Sequence, residues 1–290
     1  LANLVYSMGV TNTDFYAHQY KPLLTLLESP ADGLLIADEV GLGKTIEAGI
    51  IWTELRARED MRRLLIVCPA VLREKWRDEL KLRFGIDASI VDATTLLDEL
   101  EYSSKMGTPK AWIASYQTLR PPKSWRPSDS PPAKKASGRV RLAHLLDEQA
   151  EEEPLVDLVV FDEAHYMRNP ESSVHRLGEM LQKVSQQRVL LSATPINLHN
   201  DDLFHLLQLC DPEHFQYPSS FQELLLANQP LVSARDAALN PSSNAEEILS
   251  YVKCAADTDL LRNSRQLAAV PYNSMGFPIV ERTQQAQRQA

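Results

Sequence analysis

Short uninterrupted apolar runs recur along the first two thirds of the chain: Leu34 to Ala37, Leu64 to Cys68, Ala111 to Ala114, Leu158 to Phe161 and Val189 to Leu191, with Ser89-Ile90-Val91 a further short strand candidate among them. Apolar runs without alternation predict strands covered on both faces, as in a parallel sheet. The segments between them carry helical spacing instead. Thr13 to Glu28 has a Leu23, Leu24, Leu27 stripe with Thr13 or Asp14 as cap, and Thr45 to about Arg58 follows the first strand. Val71 to Phe84 has Leu72, Trp76 and Leu80 on one side, and further helices are expected near Thr95–Leu100 and Ser172–Val184. Strands alternating with helices predict an α/β fold, a parallel sheet flanked by helices. After Pro195 the pattern turns mostly helical, over Asp201–Leu209, Phe221–Leu226 and Ala245–Tyr251.

One stretch breaks the alternation. From Arg120 to Pro154 the prolines 121, 122, 127, 131 and 132 and several Ser and Lys residues are not the makings of a core. Charge is segregated there: seven Lys/Arg and one Asp between Arg120 and Arg141, then five acidic residues from Asp147 to Glu153. This predicts a partly mobile surface insertion with a short helix around Val140–Gln149; a solvated spacer and a basic arm touching nucleic acid both fit it.

The 290 residues carry 44% hydrophobic and 24% charged side chains, the composition of an ordinary globular protein with room for one large or two modest domains. The net charge of −9 argues against a simple basic nucleic-acid binder. Three cysteines without a C-x-x-C fit buried thiols in a reducing cytosol, and no apolar run is long enough to span a membrane. The leucine at position 1 and the polar Gln/Arg/Ala tail suggest a piece of a longer protein, with no signal peptide.

The chemistry centres on the segment after the first strand, Asp38-Glu39-Val40-Gly41-Leu42-Gly43-Lys44-Thr45. Gly41 and Gly43 let the backbone curl so that its N–H groups face one concavity, and a helix N-terminus opening at Thr45 favours an anion in the same place. Lys44 reaches the outer phosphates of a nucleotide and the Thr45 hydroxyl ligates Mg²⁺. The usual G-x-x-x-x-G-K-[ST] would have glycine at Asp38, so the loop is a variant. Asp162-Glu163-Ala164-His165, directly after Leu158–Phe161, supplies the partner carboxylates: Asp162 for Mg²⁺, mostly through water, and Glu163 for the proton of the attacking water. Ser192-Ala193-Thr194-Pro195 follows the next strand, where the Ser192 and Thr194 hydroxyls hydrogen-bond the carboxylates and sense the γ-phosphate; a capped helix start explains them as well. The seven histidines lack the spacing of a metal cluster.

The loop resembles that of the Snf2 family of superfamily-2 helicase-like ATPases, whose D-E-x-G-L-G-K-T accounts for Asp38. In chain order, His18-Gln19 is similar to the upstream glutamine motif that reads adenine, and Cys68-Pro69 with Trp76 and Leu80 to motif Ia. Ser115-Tyr116-Gln117-Thr118-Leu119 is similar to motif Ib, Asp162–His165 to motif II, and Ser192–Pro195 to motif III. Pro195-Ile196-Asn197, Asp202-Leu203 and Leu206-Leu207 resemble the helical extension of Snf2 proteins, and Leu260-Leu261-Arg262 the approach to a second lobe. Glu47-Ala48-Gly49 is similar to bacterial members, including the RNA-polymerase-associated type. The resemblance implies a RecA-like lobe over 1–196, a helical extension over 197–262 and a linker over 263–290. It implies ATP and Mg²⁺ as cofactors, with Gln19, Asp38, Gly41, Leu42, Gly43, Lys44, Thr45, Ser192 and Thr194 around the nucleotide and Lys44, Asp162 and Glu163 in catalysis. It further implies contact of Pro69, Arg73, Ser115, Gln117 and Thr118 with double-stranded DNA, mainly through phosphates.

Motifs IV to VI have no counterpart before Ala290, so the resemblance is to one lobe that needs a second. Ser192-Ala193 is nearer to general helicases than to Snf2 proteins, and the 120–154 insertion has no counterpart in the family pattern. Between Arg62 and Gly85 seven basic residues face three acidic ones; nucleic-acid contact and an ion-paired solvated face, such as Glu74 with Arg77, both fit. Trp76 reads as core rather than as a stacking platform. The expected activity is that of a cytoplasmic ATP-driven duplex-DNA translocase lobe, nucleoid-associated if bacterial and nearly inactive alone, with RNA polymerase or another DNA-bound complex among the implied partners and no membrane contact. A DEAH-type RNA or DNA helicase lobe and a non-hydrolysing nucleotide-binding scaffold are the alternatives.

Overall fold

The computed structural model describes residues 6–9, 16–37, 43–102, 107–128, 130, 132–133, 135–193, 200–240, 242–258 and 261. The apolar runs become β1 (Gly33–Ile36), β2 (Arg63–Cys68), β3 (Ala88–Ile90), β4 (Lys110–Ser115), β5 (Val156–Asp162) and β6 (Ser185–Leu191). They form one sheet in the order β1-β6-β5-β2-β4-β3, with every pairing parallel. Parallel neighbours need a crossover. Helices supply it: α1 (Lys21–Glu28) precedes β1, and α2 (Lys44–Glu59), α3 (Arg73–Phe84), α4 (Ala93–Tyr102), α5 (Tyr116–Leu119), α6 (Gly138–Glu148) and α7 (Ser173–Lys183) intervene between strands. After β6 come α8 (Asn200–Cys210), α9 (Pro218–Leu239) and α10 (Ala245–Ala256).

Side chains alternate across each strand, so one sheet builds two cores. Leu64, Ile66, Leu158, Val160, Val189 and Leu191 face the layer of α1, α2 and α3, with Leu23, Trp52, Trp76 and Leu80. Leu65, Val67, Val159, Phe161 and Leu190 face α4, α6, α7 and α8, with Leu96, Leu142, Leu177 and Leu206. All six residues of β2 are buried, as a central strand covered on both faces requires.

The chain divides into two compact units, 1–213 and 214–290. The first holds the sheet and α8, which packs on β1 and β6. In the second, α9 and α10 form a small core of their own from Ala234, Ala237, Ile248 and Val252.

Several expectations need correction. The first helix begins at Lys21, not Thr13: Ala17–Tyr20 is a 3-10 turn, and Pro22 takes the helix start, where its missing N–H costs nothing. Thr13 and Asp14 lie outside the described residues. The 120–154 stretch is not wholly surface. Its α6 buries Leu142, Ala143 and Leu146 in the main core, against α4 and α7, and Trp125 packs on the same cluster. The helix expected over Phe221–Leu226 is α9, 22 residues long despite Pro230 inside it.

Candidate active site

The sheet register brings the motifs together. Ile36 of β1 and Asp162 of β5 both pair with Leu191 of β6, so the ends of these strands lie side by side. Neighbouring strands are about 4.8 Å apart, which sets the first residues after β1 and the last of β5 roughly 10 Å from one another. Ser192 continues β6 between them, fully buried, its N–H donating to the Ile36 carbonyl at 2.9 Å. The carboxyl edge of a parallel sheet is where ligands bind in such folds.

After β1 the chain enters α2 through Gly43, whose φ of +96° is open to glycine but strained for other residues. A Cβ there would stand 2.5 Å from Gln19 Nε2, so the buried Gln19 side chain lies directly against Gly43. Gly43 O accepts from the N–H groups of Ile46 (2.7 Å) and Glu47 (3.0 Å), starting the helix one residue earlier than expected, at Lys44. Lys44 and Thr45 are half-buried in this first turn. Asp38, Gly41, Leu42 and Thr194 lie outside the described residues.

Asp162 is 9% exposed and held from several sides. Its Oδ2 accepts the Trp76 indole N–H at 2.8 Å, and its Oδ1 accepts the Glu163 backbone N–H at 2.9 Å. Its carbonyl accepts the Tyr116 hydroxyl at 2.9 Å. Burial pushes the carboxyl above its ordinary pKa; the indole, the Glu163 amide and the charges of Lys44 and Lys75 pull it back in part. Lys44 therefore acts electrostatically on Asp162 across the β1–β5 gap. Cys68 sits close by at the end of β2, its thiol pushed up to about 12 by burial and by the Asp162 charge.

Glu163 departs from the strand with φ +54°, a left-handed conformation that costs a non-glycine residue about 1–3 kcal/mol and recurs at functional sites. Its carboxylate is 29% exposed, with Oε2 3.2 Å from His165 Nδ1, and His165 stacks on Tyr166 with ring centroids 4.8 Å apart.

Motifs Ia and Ib occupy the next strands along the same edge, since Cys68 of β2 pairs with Ser115 of β4. Pro69 and Arg73 start the segment leading into α3. Arg73 is partly exposed, and its Nε donates to the Ala70 carbonyl at 3.2 Å. Ser115 is 1% exposed and forms a capping box with Thr118. Gln117 is thus the exposed side chain of that set, with Thr118 half-buried.

The basic run largely follows the ion-paired alternative. Arg77 pairs with Glu74 at 2.5 Å, Arg62 with Asp60 at 2.8 Å, Lys81 with Asp87 and Arg83 with Glu79. Arg63 is buried and donates to the Leu155 carbonyl. Arg73 and Lys75 have no acidic pairing partner among the described residues.

Trp76 is core, as expected, yet it also holds Asp162; this second role and that of Tyr116 were not read from the sequence. The available signal was general: a buried indole N–H or phenol O–H needs a polar partner.

Residues 18–265 match the model of the SNF2-related domain. The chain is 30% identical over 240 residues to the RNA polymerase-associated protein RapA of Stutzerimonas stutzeri, covering 81% of this chain and 23% of that protein. It is 32% identical over 232 residues to RapA of Haemophilus influenzae strain Rd, covering 79% and 22%. It therefore spans less than a quarter of the length of these relatives. A solved structure, the Sulfolobus solfataricus SWI2/SNF2 ATPase core in complex with dsDNA, shares the fold with a TM-score of 0.52 and 14% identity, over 97% of this chain and 65% of that one. The order of the motifs, their assembly at one sheet edge and the extent of the match lead to one family: the chain belongs to the SNF2-related domain family and is a helicase-like ATPase lobe of that type.

Proposed function

We propose that this lobe binds ATP with Mg²⁺ at the carboxyl ends of β1, β6 and β5 and hydrolyses it to drive movement along double-stranded DNA. The observation that supports this reading is the shared pairing of Ile36 and Asp162 with Leu191, which sets the end of β1 and the acidic pair at one edge of the sheet, with the Lys44 charge acting on Asp162. The donor set fits a hard divalent cation: a buried carboxylate at Asp162 and, at the start of α2, the Thr45 hydroxyl are oxygen ligands of the kind Mg²⁺ takes. Bound there, the cation would neutralise phosphate charge. Gln19, against Gly43, takes the adenine side, and Lys44 holds the outer phosphates. Glu163, which leaves the strand in a left-handed conformation, accepts the proton of the attacking water. Ser192, between the two strands, senses the γ-phosphate.

The adjacent edge at Pro69, Arg73, Gln117 and Thr118 receives duplex phosphates, which position a translocase without reading sequence. The dsDNA in the matched Sulfolobus solfataricus structure supports a duplex, and the name of the RapA relatives supports RNA polymerase or another DNA-bound complex as the remodelled partner. In this reading 1–196 is the RecA-like lobe, 197–262 the helical extension and 263–290 the path to a second lobe that completes transition-state stabilisation. The place of action is the cytoplasm, on the nucleoid in a bacterial cell.

The test is ATP hydrolysis without nucleic acid and with single-stranded DNA, duplex DNA or RNA, in a salt series and with Glu163→Gln as control. Stimulation by duplex DNA above the rest, lost in Glu163→Gln, is the expected result. Equal or greater stimulation by RNA or single strands would point to a strand-separating helicase, and no hydrolysis to a scaffold. The isolated 290-residue chain is expected to bind ATP and turn it over slowly.

A further inference from the structure

The two segments assigned to nucleic acid each lead into a buried aromatic side chain, and both aromatics end on Asp162. From the motif Ia side, Trp76 lies on α3 three residues after Arg73 and one after Lys75, and its indole N–H donates to Asp162 Oδ2 at 2.8 Å. From the motif Ib side, Tyr116 follows Ser115 directly, and its hydroxyl donates to the Asp162 carbonyl at 2.9 Å. Both rings are 2% exposed, so neither bond competes with water, and each constrains where the carboxylate points. Trp52 and Trp112 are equally buried, yet Trp76 alone among the described tryptophans donates to a carboxylate.

Resting on the ATPase reading above, we propose that Trp76 and Tyr116 are positioning residues for Asp162, and that Trp76 couples occupation of the Arg73–Lys75 face of α3 to the cation affinity of Asp162. Helix α3 is the mechanical element. Its outer residues Arg73 and Lys75 have no acidic pairing partner among the described residues, while four other cations of the run are tied into pairs. A phosphate drawn to those two residues acts on the same turns that carry the indole. Partners that orient a metal ligand are commonly worth about 10- to 100-fold in metal affinity. Linkage then makes the effect reciprocal: nucleic acid that tightens the cation site must itself bind more tightly when the cation is present.

The probe is Mn²⁺, titrated by electron paramagnetic resonance into the full natural polypeptide with a non-hydrolysable ATP analogue, with and without duplex DNA. Wild-type protein should bind Mn²⁺ several-fold more tightly when DNA is added. Trp76→Phe keeps the ring and loses the donor; it should weaken Mn²⁺ binding about tenfold and abolish the DNA-induced shift. Tyr116→Phe, which removes only one hydroxyl, should weaken Mn²⁺ binding with the shift retained. Trp112→Phe, in the opposite core layer, controls for loosened packing and should change neither. Should Trp76→Phe fold poorly, Tyr116→Phe carries the positioning claim, and Lys75→Ala, outside the core, carries the coupling claim by losing the shift. Unchanged Mn²⁺ affinity in Trp76→Phe or Tyr116→Phe, or a DNA-induced shift of the same size in Trp76→Phe and wild type, overturns the proposal and leaves the ATPase reading intact. Absence of nucleotide-dependent Mn²⁺ binding in wild type overturns that reading, and the proposal with it.

Discussion

The sheet edge of the first unit and the α9–α10 pair of the second bury their side chains in different ways. In the sheet, helices cover both faces, and several of the polar side chains kept inside have hydrogen-bond partners: Asp162 in Trp76 and Glu163, Arg63 in the Leu155 carbonyl, Arg188 in the Gln182 and Cys210 carbonyls. In the helical pair the core is a narrow stripe, and large side chains such as Leu226 and Leu239 are 66% and 58% exposed. A polar group retained in the first setting must be paired to be tolerated, so it marks either structure or chemistry. In the second setting exposure carries no such message.

The largest expected effect separates chemistry from stability at the sheet edge. Lys44→Ala should lower ATP hydrolysis by at least about 100-fold, as loss of a charge-stabilising donor does, while thermal unfolding of this half-buried position moves little. A large loss of stability together with activity would make Lys44 a packing residue. Next comes the core. Leu142→Ala on α6 should cost about 2–5 kcal/mol by urea unfolding, against less than about 0.5 kcal/mol for Leu239→Ala on α9. Equal costs would erase the contrast between the two regions.

Pro230 tests the second unit by itself. A proline inside a helix removes one backbone bond and crowds the preceding turn, at about 3 kcal/mol in the general case. Pro230→Ala should therefore slow amide exchange around residues 226–234 by up to that amount. No change would mean that the surroundings already accommodate the ring.

The smallest effect is pH-linked. Burial raises the Glu54 pKa, but hydrogen bonds from Ser7 N–H, Arg58 and Tyr6 N–H outweigh it and leave the carboxyl below its ordinary value. With the folded pKa depressed, the stabilisation is present above about 4.5, the unfolded value, and is lost as pH falls through the folded value. Glu54→Gln should remove about 1–2 kcal/mol at pH 7 and flatten the acid limb of a stability–pH curve. An unchanged acid limb would show that Glu54 does not hold the Tyr6–Gly9 turn.

The strands were legible because uninterrupted apolar runs have few alternatives at that length, and each begins and ends within two residues of expectation except β6, which starts at Ser185. Its first half, Ser185-Gln186-Gln187-Arg188, is polar and carries no strand pattern. The α6 helix was legible as a helix but not as core, since its Leu142 and Leu146 sit among prolines and charges that dominate the composition of the window. The full length of α9 was hidden by Pro230, which local propensity treats as a stop.

Residue types and their order were enough to determine the α/β class and the family, because apolar runs alternating with helical spacing admit few other folds and the motifs follow one another in the family's order. The strand order, which sets Ile36, Leu191 and Asp162 side by side, was decided only in three dimensions. So was the bond from Trp76 to Asp162, across 86 positions of chain. The physical reason is shared: helical spacing shows that an indole is buried, but the partner its N–H finds depends on which strand the sheet places beneath it.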